Sequence, residues 1–335
     1  MPLLKDRCLK LPKQICNNRT GVQRVGVILI ASVTIGTFLP WAFLYLIENI
    51  NITQSLLGLF AIQPPKPLVI LFPIAMACIA IFSLCFEAIH LGYYNNSTLY
   101  LLIEGKNASL RNDLFYFFLR VTGFSNVLAF IMALGMSKHL EAMTVMGLEY
   151  NLMSELNPFL QFFVLVIFLT FFSYWTHRIW HTKLFYEIHK VHHSAEQMGV
   201  LLPFRAHPID HLVTQIYTAG VLSLLGTDTE VIMVWMGINA LYQSMVHSKL
   251  DWPTWLSYIV VTPALHRVHH SSNPRHFNKN LAILTIWDKL FGTYHPPESV
   301  ISYGVDNKEK HHFNTDQYLN EVVLCFFRWI GISRN

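Results

Sequence analysis

Charge is scarce in this chain. Of its 335 residues only 13% are charged and 53% are hydrophobic, about half the charge of an average soluble domain, and the mean hydropathy is +0.38. That balance excludes an ordinary soluble domain and reads as a membrane protein. Linkers are missing as well: no Ser/Gly/Pro-rich or low-complexity break divides the chain, and no repeat of roughly 20–50 residues marks a solenoid. The five cysteines, Cys8, Cys16, Cys78, Cys85 and Cys325, are odd in number, far apart and never paired as C-x-x-C. A disulfide framework and a thiolate zinc site are thereby excluded, and a reducing, cytosol-facing context fits. No H-E-x-x-H supplies a protease base, and no G-x-G-x-x-G marks a dinucleotide site. Any electrons the chain uses therefore come from elsewhere.

Present instead are long apolar runs. Val25–Ile47, Pro67–Ile89, Leu114–Met136 and Phe159–Tyr174 are long enough to cross a hydrocarbon core of about 30 Å, and four crossings follow. Most of the net charge of +4 comes from residues 1–24, where Lys5, Arg7, Lys10, Lys13, Arg19 and Arg24 face the single acid Asp6. A basic tail abutting a span is a cytosolic anchor rather than a nucleic-acid arm, and the first run is too long, without a small-residue cleavage site, for a signal peptide. The fourth run then leaves the membrane on the cytosolic side at His177. A further apolar block, 212–247, is split by Gly226-Thr227-Asp228-Thr229 into two short halves. It predicts a hairpin dipping into the membrane or two tilted helices, returning the chain to the same side either way. The expected architecture is all-α and polytopic: a tail (1–24), three spans (25–157), a unit holding the fourth span and the hairpin (158–295) and a C-terminal tail (296–335), with the fourth span and hairpin carrying a cytosolic helical cap.

The histidines carry the chemistry. Twelve of the seventeen lie between positions 177 and 276, ordered as His177-Arg-Ile-Trp-His181, His189-Lys-Val-His192-His193 and His266-Arg-Val-His269-His270. On a helix, spacings of three and four share a face, so each box offers two or three imidazoles to one point. A single such pair is usually an accident of surface or core; three ordered boxes in a chain this poor in polar residues are not, because ionisable groups beside a membrane are costly. Eight imidazoles exceed the four ligands of a tetrahedral zinc, so two metal ions are expected. Imidazole suits iron, copper, zinc and nickel alike, and ligand type leaves the metal open.

The three boxes, followed by Asn278-Lys-Asn280 and Trp287-Asp-Lys-Leu-Phe-Gly-Thr-Tyr294, resemble the membrane fatty acid hydroxylase and sterol desaturase superfamily over roughly residues 158–295. Leu241-Tyr-Gln-Ser-Met-Val-His247 and Thr262-Pro-Ala-Leu-His-Arg-Val-His-His270 are similar to its alkylglycerol monooxygenase branch, and Arg205-Ala-His-Pro-Ile-Asp210 to the sterol desaturase branch. The resemblance implies two iron ions held by His177, His181, His189, His192, His193, His266, His269 and His270, with His247 as a further ligand. It also implies a cytosolic-facing site in a bacterial inner membrane or endoplasmic reticulum. Some relatives carry another histidine where this chain has Gln243, which leaves water or the amide as a replacement. Asp210, Asn278 and Asn280 are expected to orient ligands. His207 and His211 are four apart but separated by Pro208, and His276 is not expected to be a ligand. Glu87, His90, Trp175 and Trp180 are placed at the membrane interface.

The implied reaction is oxygen-dependent hydroxylation or desaturation of a lipid, whether fatty acyl, sterol or ether lipid. A separate electron donor would serve it: a cytochrome b5-like protein, a ferredoxin-like protein or a pterin. Arg178, Lys190 and Arg267 are candidates for docking an acidic donor or lipid headgroups. A membrane zinc hydrolase, making hydroxide from water on the same imidazoles, and a metal transporter are the competing readings.

Overall fold

The computed structural model describes residues 23, 25–35, 66–91, 96–125, 152–153, 155–305, 313 and 318–332. Among these the regular structure is helical, with two isolated antiparallel bridges, Val260 to Leu284 and Ser271 to Tyr303. The basic tail falls outside the described residues, as does the continuation of the first apolar run beyond Ile35.

The helices are α1 Val25–Ile35, α2 Lys66–His90, α3 Thr98–Glu104, α4 Ala108–Val121 and α5 Pro158–Trp180. They continue with α6 Tyr186–His193, α7 Pro208–Leu225, α8 Thr229–Val246, α9 Pro263–His269, α10 Thr285–Leu290 and α11 Tyr318–Trp329. Two of them, over Pro73–His90 and Pro158–Trp180, are long and apolar enough to cross a membrane. At 1.5 Å per residue the second is about 35 Å long. It starts where Asn157 caps it, the side chain accepting from Leu160 N at 3.0 Å, with Pro158 set for the first turn. Phe159, Phe163, Ile167, Phe172 and Ile179 are exposed from one end of α5 to the other. A helix apolar all round yet mostly uncovered matches lipid better than a soluble core.

The third expected run does not continue as one helix from Leu114. Helix α4 closes at Val121; Thr122 turns its hydroxyl back onto the Phe118 carbonyl at 2.9 Å, and Gly123 takes φ +78°, which a side-chain-bearing residue adopts at a cost. Residues 126–136 lie outside the described part. The expected hairpin is longer than 212–247: α7 begins at Pro208, and α7 and α8 each run 18 residues. Gly226 closes α7 in the left-handed conformation, its N–H donating to the Leu222 carbonyl. Gln161 at the start of α5 then holds the turn by a reciprocal pair, its amide donating to Asp228 Oδ2 and accepting from Asp228 N, both at 2.9 Å.

Packing follows from these lengths. Leu165 and Leu169 of α5 meet Val221, Leu225 and Val231 of the α7–α8 hairpin in one buried cluster. A second cluster joins Leu84 of α2, Leu102 of α3, and Leu110 and Phe117 of α4 to Val200 and Leu201. The amphipathic α11 lies along α6 and α4, burying Val322 and Cys325 against Val191 and Leu119. Glu87 is wholly buried, not interfacial: its carboxylate accepts from Thr98 N at 2.7 Å and Lys249 N at 2.9 Å, tying α2 to the chain just after α8. Trp180 is buried too, packed with Ile188 and Ile209, whereas Trp175 and His90 remain partly exposed.

Candidate metal centre

Helix ends converge beneath this cap. The last turn of α5 brings His177 and His181, α6 brings His189, His192 and His193, the end of α8 brings His247, and α9 brings His266, His269 and His270. The nine imidazoles gather into two groups, His177, His181, His189, His193 and His269 in one and His192, His247, His266 and His270 in the other. Within each, one ring nitrogen per residue lies within 4.8 Å of the others. The two groups abut, since α6 and α9 each supply both: the His193 and His270 rings are 4.5 Å apart, the His266 and His269 rings 5.1 Å apart, and the His269 and His270 rings 5.2 Å apart.

The outward nitrogens are fixed by the backbone. His177 Nδ1 donates to the Leu281 carbonyl at 2.7 Å, His192 Nδ1 to that of Arg205 at 3.0 Å, His247 Nδ1 to that of Gln243 at 2.7 Å and His269 Nδ1 to that of Lys279 at 2.9 Å. His189 Nδ1 instead meets the Asp210 carboxylate at 2.8 Å. A neutral imidazole has one N–H, so in these rings the proton sits outward and Nε2 carries a bare lone pair inward. Six of the nine rings are held neutral. Burial, followed by the repulsion of neighbouring histidines, keeps His181, His192, His193, His266, His269 and His270 well below the usual histidine range.

Bare lone pairs then face one another. His192 and His247 bring Nε2 to within 3.3 Å with both Nδ1 atoms already donating. In the five-histidine group the Nε2 atoms of His177, His181, His189, His193 and His269 are buried with no hydrogen-bond partner. Buried acceptors without donors are unfavourable, and a cation is the partner that satisfies all of them together. An all-imidazole donor set fits a divalent transition metal, and the carbonyls and carboxylate behind it are the supports such ligands use.

The remaining expected residues are placed differently. His207 joins neither group: its Nδ1 caps α7, accepting from Ile209 N at 3.1 Å, and its Nε2 donates to the Val322 carbonyl at 3.2 Å. Burial lowers its pKa to about 4, which keeps Nδ1 free to accept. His211 is likewise outside both groups. The Gln243 amide lies beside Asn239 rather than in the site, and its contribution is the carbonyl behind His247. Arg178 donates to Tyr174 Oη at 2.8 Å and the Phe291 carbonyl, Lys190 pairs with Glu187 at 2.6 Å, and Arg267 pairs with Asp251. All three cations expected at a docking surface are bound within the chain.

Asn278 and Asn280 act through the backbone. Both hold φ near the left-handed region, 59° and 53°, which asparagine tolerates better than most residues. The kink turns the intervening Lys279 carbonyl onto His269. Asn280 further donates to the Leu265 carbonyl at 3.0 Å, directly before His266. Asp288 locks the same loop, accepting from Leu281 N, Ala282 N and the Thr293 hydroxyl at 2.8, 3.1 and 2.7 Å. Supporting carbonyls leave no mark in a sequence, since every residue has one; Asp288 lies in the Trp287–Tyr294 stretch, beyond the last histidine box.

A cavity of about 710 Å³ opens onto the five-histidine group, lined by His181, His193 and His269 and by Tyr186, Phe277 and Asn278.

Residues 162–293 match the model of the fatty acid hydroxylase family. The chain is 35% identical to alkylglycerol monooxygenase of Danio rerio over 135 residues, covering 39% of this chain and 30% of that protein. It is 34% identical to the Homo sapiens protein of the same name over 138 residues, 39% and 30% of the two chains. Ornithine lipid hydroxylase of Rhizobium tropici is 37% identical over 128 residues, 37% of this chain and 38% of that one. The chain thus spans about a third of the length of these curated relatives. No solved structure matches.

Proposed function

We propose that this chain, whose residues 162–293 match the fatty acid hydroxylase family, is a membrane monooxygenase that hydroxylates an alkyl chain of a lipid with dioxygen and externally supplied electrons. The observation that carries this reading is the pair of abutting histidine groups with their lone pairs turned inward. His177, His181, His189, His193 and His269 would hold one iron ion, and His192, His247, His266 and His270 a second. Bound there, the pair supplies the two-electron oxidation that an unactivated C–H bond needs.

The chain's own residues prepare that chemistry. The Leu281, Lys279, Arg205 and Gln243 carbonyls and the Asp210 carboxylate fix each ring's tautomer and direction, so little reorganisation is needed on loading. Burial of seven of the nine imidazoles keeps bulk water away. The polar mouth beside Tyr186 and Asn278 suits a headgroup, and the uncovered apolar lengths of α2, α5 and α8 suit the surrounding acyl chains. We place α2 and α5 across the membrane with the histidine cap on its cytosolic side, and a separate donor, a small redox protein or a pterin, as the electron source. Hydroxylation is favoured over desaturation because the matched relatives are named as a monooxygenase and a hydroxylase. Their names give an alkylglycerol and an ornithine lipid as what they act on. A zinc hydrolase would want a carboxylate base facing the metal; the one carboxylate hydrogen-bonded to these rings among the described residues, Asp210, is bound to the outward side of His189.

Lipid profiles of cells carrying the intact protein and a His192→Ala, His193→Ala variant test the proposal. A hydroxylated lipid present with the intact protein and lost with the variant is expected; identical profiles at equal protein abundance would overturn it.

A further inference from the structure

Outside the nine histidines lies a second cluster of ligand-bearing side chains. His276 closes the short 3₁₀ turn Pro274–His276, and His295 and Glu298 follow the Trp287–Tyr294 stretch. One donor atom from each lies within 4.8 Å of the others. His276 is 2% exposed, and neither ring nitrogen has a hydrogen-bond partner. A buried imidazole with both nitrogens unsatisfied is unusual. Its Nε2 lies 3.5 Å from Glu298 Oε2, and His295 Nε2 lies 3.8 Å from the same oxygen.

These separations are too long for hydrogen bonds, which run about 2.7–3.2 Å. They suit ligands of one ion: two donors about 2.1 Å from a tetrahedral metal stand about 3.4 Å apart. The tautomer agrees for His295, whose Nδ1 donates to the Pro296 carbonyl at 2.8 Å, leaving Nε2 as a lone pair on the glutamate side. The His276 and His295 rings stand 5.1 Å apart. Two imidazoles, one carboxylate and a position left for water form an N₂O set suited to zinc.

We propose that His276, His295 and Glu298 form a third metal site, which takes Zn²⁺ and pins the segment after Tyr294 to the Pro274–His276 turn. The site is independent of what the two histidine groups hold. Its placement gives it a role at the cavity mouth. Pro274 and Phe277, on either side of His276, line that cavity. The backbone N–H of His295 donates to Asn280 Oδ1 at 2.8 Å, and Asn280 in turn holds the Leu265 carbonyl before His266. A zinc here would brace the rim rather than take part in the oxidation.

The variants that test this are His295→Ala and Glu298→Gln, both at solvent-accessible side chains, so the fold need not change. The full-length protein in detergent is loaded with Zn²⁺, dialysed, and its metal counted beside the wild type; parallel samples loaded with Co²⁺ report a tetrahedral visible spectrum. The double variant is expected to hold one metal equivalent fewer and to lose part of the Co²⁺ absorption, with metal in the nine-histidine centre unchanged. Equal metal content in wild type and variant, or an unaltered Co²⁺ spectrum, overturns the proposal. Loss of all metal would place these residues in support of the main centre instead and overturns it equally. Because the readout is a difference between two proteins, its failure is distinct from a failure of the oxygenase reading.

Discussion

Among the described residues Asp210 is the one side-chain carboxylate hydrogen-bonded behind the histidines, and its position separates support from ligation. Its Oδ2 accepts from His189 Nδ1 at 2.8 Å; burial pushes its carboxyl up, but the His189 contact and the further histidines around it outweigh that and hold it below the usual range. Removing such a support costs a metal site roughly 10–100-fold in affinity. Asp210→Ala is expected to show that loss in a chelator competition, whereas Asp210→Asn, which retains an acceptor oxygen, loses less; equal affinity in all three proteins would contradict the supporting role. The histidine boxes that form the two groups were legible in the sequence because spacing alone states which imidazoles share a helical face. What spacing does not state is which carbonyl stands behind each ring. Gln243 shows the difference, since its identity invites a ligand reading while its backbone does the holding.

The elements around the site are held by single buried polar ties, and two of them give measurable expectations. Glu321 of α11 accepts from Asn112 Nδ2 and Tyr116 Oη of α4, both at 2.8 Å. Glu321→Ala strands two buried donors and is expected to lower stability by about 3 kcal/mol, seen as an earlier thermal transition in detergent; Glu321→Gln keeps a partner for each and costs less. His207 is the second tie. Its folded pKa is about 4 against about 6.5 when unfolded, so the unfolded chain binds the extra proton first. The cap's contribution is complete above about pH 6.5 and is lost as pH falls toward 4. His207→Asn, which caps without titrating in this range, should flatten that portion of the metal-free protein's stability profile; an unchanged slope would contradict it. Element lengths were harder to read than motifs. Hydropathy sees neither the Thr122–Gly123 break nor the start of α7 at Pro208, because a capping hydroxyl and an N-terminal proline are nearly silent in an apolar average.

Across the whole molecule, the order of the chain matches the physics of the site. Helices α2, α5 and α8 carry the uncovered apolar lengths, and the ends of α5 and α8 deliver His177, His181 and His247 to a cap built from α6 and α9. Buried ties reach back from that cap to the earlier helices: Arg205 donates to Asp113 Oδ1 at 2.6 Å and to Ser109 of α4, while its own carbonyl holds His192. Helical class and the polar cap were visible in the sequence from periodicity and charge depletion, whereas these long-range ties were not, since Arg205 and Asp113 are 92 positions apart.

The most direct test of the central claim follows the oxygen atom. Iron-loaded protein in detergent, given a reductant and an extracted lipid fraction under isotopically labelled dioxygen, is expected to yield a lipid carrying one labelled hydroxyl oxygen, and none when the gas is excluded. Label arriving from water alone, or turnover by zinc-loaded protein under strict anaerobiosis, would contradict it.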